Sequence, residues 1–176
     1  MDLIVITTNE ARIAAARRLF SISDADIVDD DFDGLYSDLC KHCGDLTDVE
    51  LDFAAALLLG KYVIHQKDLS SGPVLVQGAG SDSWEMFSPT SNWVSYGELI
   101  TNVNFVISTG NISMDQATSG EIFETVYVSC HGDHGPSSTD EDARKAVAIS
   151  AAKVLSYYAL CGSAFTHKFE VMEENG

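Results

Sequence analysis

The stretch Leu51 to His65, LDFAAALLLGKYVIH, is the most apolar in the chain and the hardest to leave in water. Alanine, aliphatic and aromatic side chains fall on nearly every side of a helix drawn through its first nine residues. A helix here presents no broad polar stripe and must be wrapped by the rest of the molecule. Thr47 and Glu50 stand just ahead of it, three apart, the spacing at which a hydroxyl and a carboxylate satisfy each other's backbone amides. The spacing predicts one helix from this pair to about Gln66, with the other elements packed around it.

At 176 residues the chain suits one domain, 1–176, with a helical part over 1–69 and a β-rich part over 70–176. A hydrophobic content of 45% and a charged content of 21% are those of a folding chain. The 27 acidic and 10 basic residues give a formal charge of −17, which repels nucleic acid and anionic membranes. Such acidity serves solubility, keeps a surface off DNA, or imitates DNA, and solubility is the default. No run approaches the roughly 18–20 apolar residues of a membrane span, and MDLIVITTNE carries neither a basic leader nor a small-residue cleavage site. A soluble protein without a secretory signal is expected, with its four cysteines reduced.

Leu3 to Ile6 reads as a short strand or buried segment. Thr7 and Glu10 form a cap pair for a helix from about Thr8 to Phe20, with Arg17 and Arg18 at the end the helix dipole favours for cations. A Ser- and Asp-rich connector follows. Phe32, Leu35, Tyr36, Leu39 and Cys43 then recur at helical spacing, with Asp29 to Asp31 at the start and Gly44 at the end. Three helices in the first 66 residues predict a small antiparallel bundle.

Beyond Ser70-Ser71-Gly72-Pro73 the sequence turns β-like. Strands are expected near Val74–Val76, Trp84–Phe87, Asn102–Ile107 and Ile122–Ser129, with Trp84 and Trp93 packed where sheet meets helices. Ser138 and Glu141 form a fourth cap pair for an amphipathic helix over about 139–160, whose apolar face is Ala143, Val147, Ala151, Val154 and Tyr158. From Ala164 to Met172 the pattern alternates as a strand. The expected class is α+β: an N-terminal antiparallel helical bundle, a central antiparallel sheet, a late amphipathic helix and a C-terminal strand.

Three clusters carry candidate chemistry. Cys40, Cys43, Cys130 and His134 offer three thiolates and an imidazole, a set that zinc accepts; the helical register instead makes Cys40 and Cys43 part of a buried face, and free thiols are favoured. Cys130 with His131 or His134 has the residue types of a thiol nucleophile and its base, but neighbours at a strand end point in different directions, and a glycine-rich loop is the commoner meaning. The acidic run Asp29-Asp30-Asp31-Phe32-Asp33-Gly34 lacks the distal glutamate of a calcium loop, since Cys40 stands there, and reads as a solvated helix start. No catalytic, cofactor or metal residue is assigned.

The opening strand, turn and helix, IVITTNEARI, resembles the start of the house-cleaning nucleoside triphosphate pyrophosphatases. That resemblance implies that Thr7, Thr8 and Asn9 approach phosphate at a helix N-terminus. The family also uses a magnesium-holding carboxylate cluster, and Gln77-Gly78-Ala79-Gly80 carries no acid where a glutamate is due.

A second resemblance runs over about residues 1–100. TTNEARIAAARRLF, then SISDADIVDDDFDGLYSDL, then LDFAAALLLGKYVI, then SSGPVLVQGAG leading into short strands, resembles in order and pattern the head-to-tail connector, or adaptor, proteins of tailed viruses. It implies a structural virion component assembled in the host cytoplasm. Such a protein forms a homo-oligomeric ring with portal and tail or neck proteins as partners, and has no enzymatic site, cofactor or membrane contact. DNA would pass its acidic channel wall without specific binding. The runner-up readings are the pyrophosphatase and an acidic inhibitor that mimics DNA.

Overall fold

Residues 2–27, 31–77, 82–102, 105–109, 126–130, 137–140 and 143–162 are described by a computed structural model. The class is α+β. In chain order the elements are β1 (Leu3–Ile6), α1 (Asn9–Leu19), α2 (Asp24–Ile27), α3 (Phe32–Cys43), α4 (Asp48–Leu58), β2 (Tyr62–Gln66) and a single 3-10 turn (Leu69–Ser71). They continue with β3 (Leu75–Gln77), β4 (Trp84–Met86), α5 (Trp93–Asn102), β5 (Phe105–Thr109), β6 (Val126–Cys130), β7 (Ser137–Asp140) and α6 (Ala143–Cys161).

The apolar stretch divides into two elements instead of forming one helix to Gln66. Helix α4 ends at Leu58 because Gly60 adopts φ +70, the left-handed conformation that glycine reaches without a Cβ clash. The Gly60 amide donates to Leu57 O at 3.0 Å and the Lys61 amide to Ala56 O at 3.3 Å, the paired bonds of a Schellman ending. The chain reverses there, and the β-branched and aromatic residues of Tyr62-Val63-Ile64 suit the strand that follows. β2 pairs antiparallel with β1, Ile4 opposite His65 and Ile6 opposite Val63. The helical part expected over 1–69 therefore contributes two of the four strands of the main sheet.

That sheet is antiparallel throughout, in the order β1-β2-β3-β4. A second antiparallel sheet, β5-β6-β7, forms from later segments. Helix α4 is buried from Leu51 to Leu58 on all sides, as its composition requires. Its principal neighbour is α6, which also packs against α1, α3, β6 and β7. The late helix is thus the centre of the molecule and not an amphipathic flank: Ala146 to Ala152 are all buried in succession, with Val154, Leu155, Ala159 and Leu160 beyond. Ala54, Ala55 and Ala56 on α4, with Ala146, Ala148, Ala151 and Ala152 on α6, keep both helices slim where they pack.

Other ends differ from expectation for local reasons. Helix α1 is capped by Thr8, whose hydroxyl accepts the Ala11 amide at 3.2 Å, one residue later than the Thr7–Glu10 pair. The Thr47–Glu50 capping box is present in full. Asp31 caps α3 through Gly34, where a Cβ would run into the carboxylate. Ser138 lies in β7 opposite Val128, so it caps no helix, and α6 runs from Ala143. Trp93 to Asn102 form a helix where a loop was expected up to a strand starting at Asn102: the Asn92 side chain accepts the amides of Val94 and Ser95, and Tyr96, Leu99 and Ile100 pack on the core at helical spacing. The strand expected over 164–172 lies outside the described residues.

Candidate functional site

The phosphate turn implied by IVITTNEARI is occupied by structural bonds. Thr8 caps α1, and Asn9 Oδ1 accepts from an Arg12 guanidinium nitrogen at 2.9 Å. Arg12 is buried; its Nε donates to Lys61 O at 3.1 Å, and its guanidinium lies 5.5 Å from the centroid of the Tyr62 ring. These contacts tie the first turn of α1 to the reversal between α4 and β2. Buried charged bonds of this kind fix the entry angle of a helix. A shallow, open cleft of about 460 Å³ runs along α1, lined by Glu10, Ile13, Arg17, Arg18 and Asp24 among others. It holds both signs of charge and does not include Thr7, Thr8 or Asn9.

The cysteines separate in character. Cys43 is buried and its thiol is pushed up to about 12, first by burial and then by the neighbouring Cys40. Cys40 is also raised by burial, which outweighs its bond to Tyr36. Both therefore stay protonated at neutral pH and are poor nucleophiles. Cys130 takes a place in β6 opposite Phe105, and His134 lies outside the described residues, as do Gly78, Ala79, Gly80, His131, Asp29 and Asp30. Among the described residues no group of three or more His, Cys, Asp and Glu gathers to hold a metal ion.

Asp52 and His65 are buried ionisable groups that a reading of the sequence misses, as it does Arg12. Asp52 sits within the apolar run of α4, where its carboxylate accepts the Thr90 amide and the Ser88 hydroxyl, each at 2.9 Å. Ser88 donates its own amide to Ser95 Oγ at 3.2 Å, so the carboxylate shapes the turn that leads into α5. Burial raises the Asp52 carboxyl above its usual range, against the lowering effect of those bonds. His65, on the inner face of β2, lies 4.5 Å from the Phe53 ring, with Nδ1 2.7 Å from Gln66 O. A lone acid inside LDFAAALLL is the one signal that could have marked Asp52.

Charge is unevenly spread over the described surface. Asp24, Asp31, Asp33, Asp38, Asp45 and Asp48 are exposed on or beside α2, α3 and the start of α4, and from Asp24 to Asp48 only Lys41 carries a fixed positive charge. The outer face of the four-stranded sheet differs. The inner face buries Ile6, Val63, His65 and Val76. The alternation then sends Leu3, Val5, Tyr62 and Met86 outward, 55%, 55%, 41% and 62% exposed, where an antiparallel sheet facing water ordinarily carries polar residues. Trp93, expected at the junction, is 64% exposed at the start of α5; Arg144 covers its ring at 4.7 Å and donates to Ser91 O at 3.0 Å.

Among the described residues no helix is long and apolar enough to cross a membrane. No protein-family model matches this chain, and searches of curated proteins and of solved structures return no match either.

Proposed function

We propose that the chain is a non-enzymatic structural subunit that works through protein contacts, and specifically a ring-forming connector between the portal and tail of a tailed virus. The observation that carries this reading is the segregation of its surface into an exposed acidic belt over α2, α3 and the start of α4 and an uncharged apolar face on the main sheet. DNA carries a negative charge about every 1.7 Å along its axis, so an acidic wall repels it at short range and offers it nothing to adhere to. An uncharged face is where a protein of charge −17 meets other protein surfaces at least electrostatic cost. The bonds that commit Thr8 and Asn9 to holding α1 leave that turn to the fold, which favours the connector resemblance over the pyrophosphatase one.

The reading is tested by mixing the purified chain with the portal protein of its virus and measuring particle mass by mass photometry. Discrete rings are expected, with no release of pyrophosphate from nucleoside triphosphates and magnesium. A chain that stays monomeric beside portal and hydrolyses nucleotides reverses the assignment in favour of the pyrophosphatase. A chain that competes with DNA for a basic protein reverses it in favour of the DNA mimic.

A further inference from the structure

Tyr36, Cys40 and Cys43 form one stripe of α3 at helical spacing. The stripe faces α6, since the rings of Phe32 and Tyr36 both meet Tyr157 edge-on with centroids 5.5 Å apart. Cys43 lies wholly inside this packing, and Cys40 sits at its margin, partly exposed. The Tyr36 hydroxyl donates to the Cys40 sulfur, the two thiols are electrostatic neighbours, and the Lys153 ammonium on α6 acts on both. We propose that Cys40 and Cys43 form a two-thiolate site for a soft monovalent cation, copper(I) foremost.

Geometry separates this use of the pair from the two commoner ones. A disulfide needs Cβ atoms about 3.5–4.5 Å apart, whereas residues three apart on a helix hold theirs about 5–6 Å apart. Oxidation would therefore have to unwind the last turn of α3. Zinc takes four ligands in a structural site, and among the described residues no third His, Cys, Asp or Glu joins the pair. Copper(I) is soft, is selected by thiolate, and accepts two sulfurs on opposite sides. Metal–thiolate bonds of about 2.3 Å set those sulfurs about 4.6 Å apart, a span that side chains on Cβ atoms about 5–6 Å apart reach without moving the backbone.

Charge balances as well. Binding replaces two S–H bonds by two metal–sulfur bonds and sends two protons to solvent, with no electron transferred. The copper dithiolate carries one negative charge, which the Lys153 ammonium offsets. Burial makes that offset necessary, because a charge kept from water must be matched nearby. The partly exposed Cys40 is the way in, and Tyr36 orients its sulfur as the hydrogen-bonding partners of metal ligands do. The site goes beyond the connector reading and is independent of it, because it lies inside the packing of α3 on α6 and not on the exposed faces that reading uses.

Titration of the full, reduced chain with copper(I) under nitrogen, against a chromogenic copper(I) chelator, tests the proposal. The chain is expected to withdraw one copper(I) per molecule with a thiolate-to-copper band in the ultraviolet, and an excess of zinc is expected to leave that band in place. Cys130→Ser with Cys161→Ser is expected to bind as the parent does. Cys40→Ser is expected to weaken uptake at least about a hundredfold, the most that loss of a mere supporting partner costs, with an unchanged circular dichroism spectrum. Cys43→Ala is expected to do the same; because it opens the core, Cys40→Ser at the margin carries the test if Cys43→Ala does not fold. Four results each overturn the proposal: no uptake against the chelator, uptake that survives in folded Cys40→Ser, uptake lost in the folded Cys130→Ser and Cys161→Ser double variant, or copper(I) displaced by zinc.

Discussion

Ser21 closes helix α1 with φ +54, a conformation that a side chain other than glycine adopts at a cost of about 1–2 kcal/mol. The Ile22 amide donates to Arg17 O at 2.8 Å and the Ser21 amide to Arg18 O at 3.2 Å, a Schellman ending with serine where glycine is usual. Ser21→Gly is therefore expected to stabilise the fold by about 0.5–1 kcal/mol, the part of that cost left after glycine's greater freedom in the unfolded chain; urea denaturation measures it, and a loss of stability would contradict the account. His65 makes the fold sensitive to pH. Burial lowers its pKa below the ordinary 6.5, with a smaller contribution from Arg18. The unfolded chain then takes up the proton first, so stability falls as pH drops through 6.5 towards the lower folded value. The midpoint of urea denaturation is expected to fall between pH 7 and pH 5.5 and to flatten over that window in His65→Leu; an equal slope in both proteins would remove the role assigned to His65. None of this was legible in the sequence. The partners of Arg12, Asp52 and His65 are set by folding, with Lys61 O 49 residues from Arg12 and the Thr90 amide 38 from Asp52.

Elements were legible where their signals are local. The cap pair at Thr47 and Glu50, the helical spacing from Phe32 to Cys43 and the apolar runs of β1 and β3 each depend on residues a few positions apart, and each is present. Failures came where two local signals competed. Tyr62-Val63-Ile64 continues an apolar run and also has strand propensity; Gly60 decides between them, because its left-handed turn closes the helix and returns the chain against β1. WVSYGELITN falls in the loop expected between the strands at Trp84–Phe87 and Asn102–Ile107, yet the cap at Asn92 and the spacing of Tyr96, Leu99 and Ile100 make a helix. The capping box gives a measurable prediction. Thr47→Ala removes the acceptor for the Glu50 amide and is expected to cost about 1 kcal/mol. Thermal denaturation reads that loss; a neutral outcome would mean that burial of α4 alone sets its start.

At the scale of the whole molecule, the pairing of α4 with α6 organises the fold, and only half of it was visible in advance. The alanine-rich sequence of α6 reads as amphipathic by period, but it lies between α1, α3 and α4 and the second sheet, which buries its remaining sides. The outer face of the main sheet went unnoticed because β2 was read as the end of a helix, which left the strand at Leu3–Ile6 without its partner. Once the register is known, the same residues define an uncharged surface on an acidic protein. That contrast carries the proposed function, in which carboxylates would keep nucleic acid away while neutral surfaces meet protein. The most direct measurement is electron microscopy of the purified chain with the portal protein that the proposed function assigns to it. The account predicts class averages with closed rotational symmetry around an open channel. Single, unassembled particles in those images, from a preparation that binds or hydrolyses nucleotides, would contradict it.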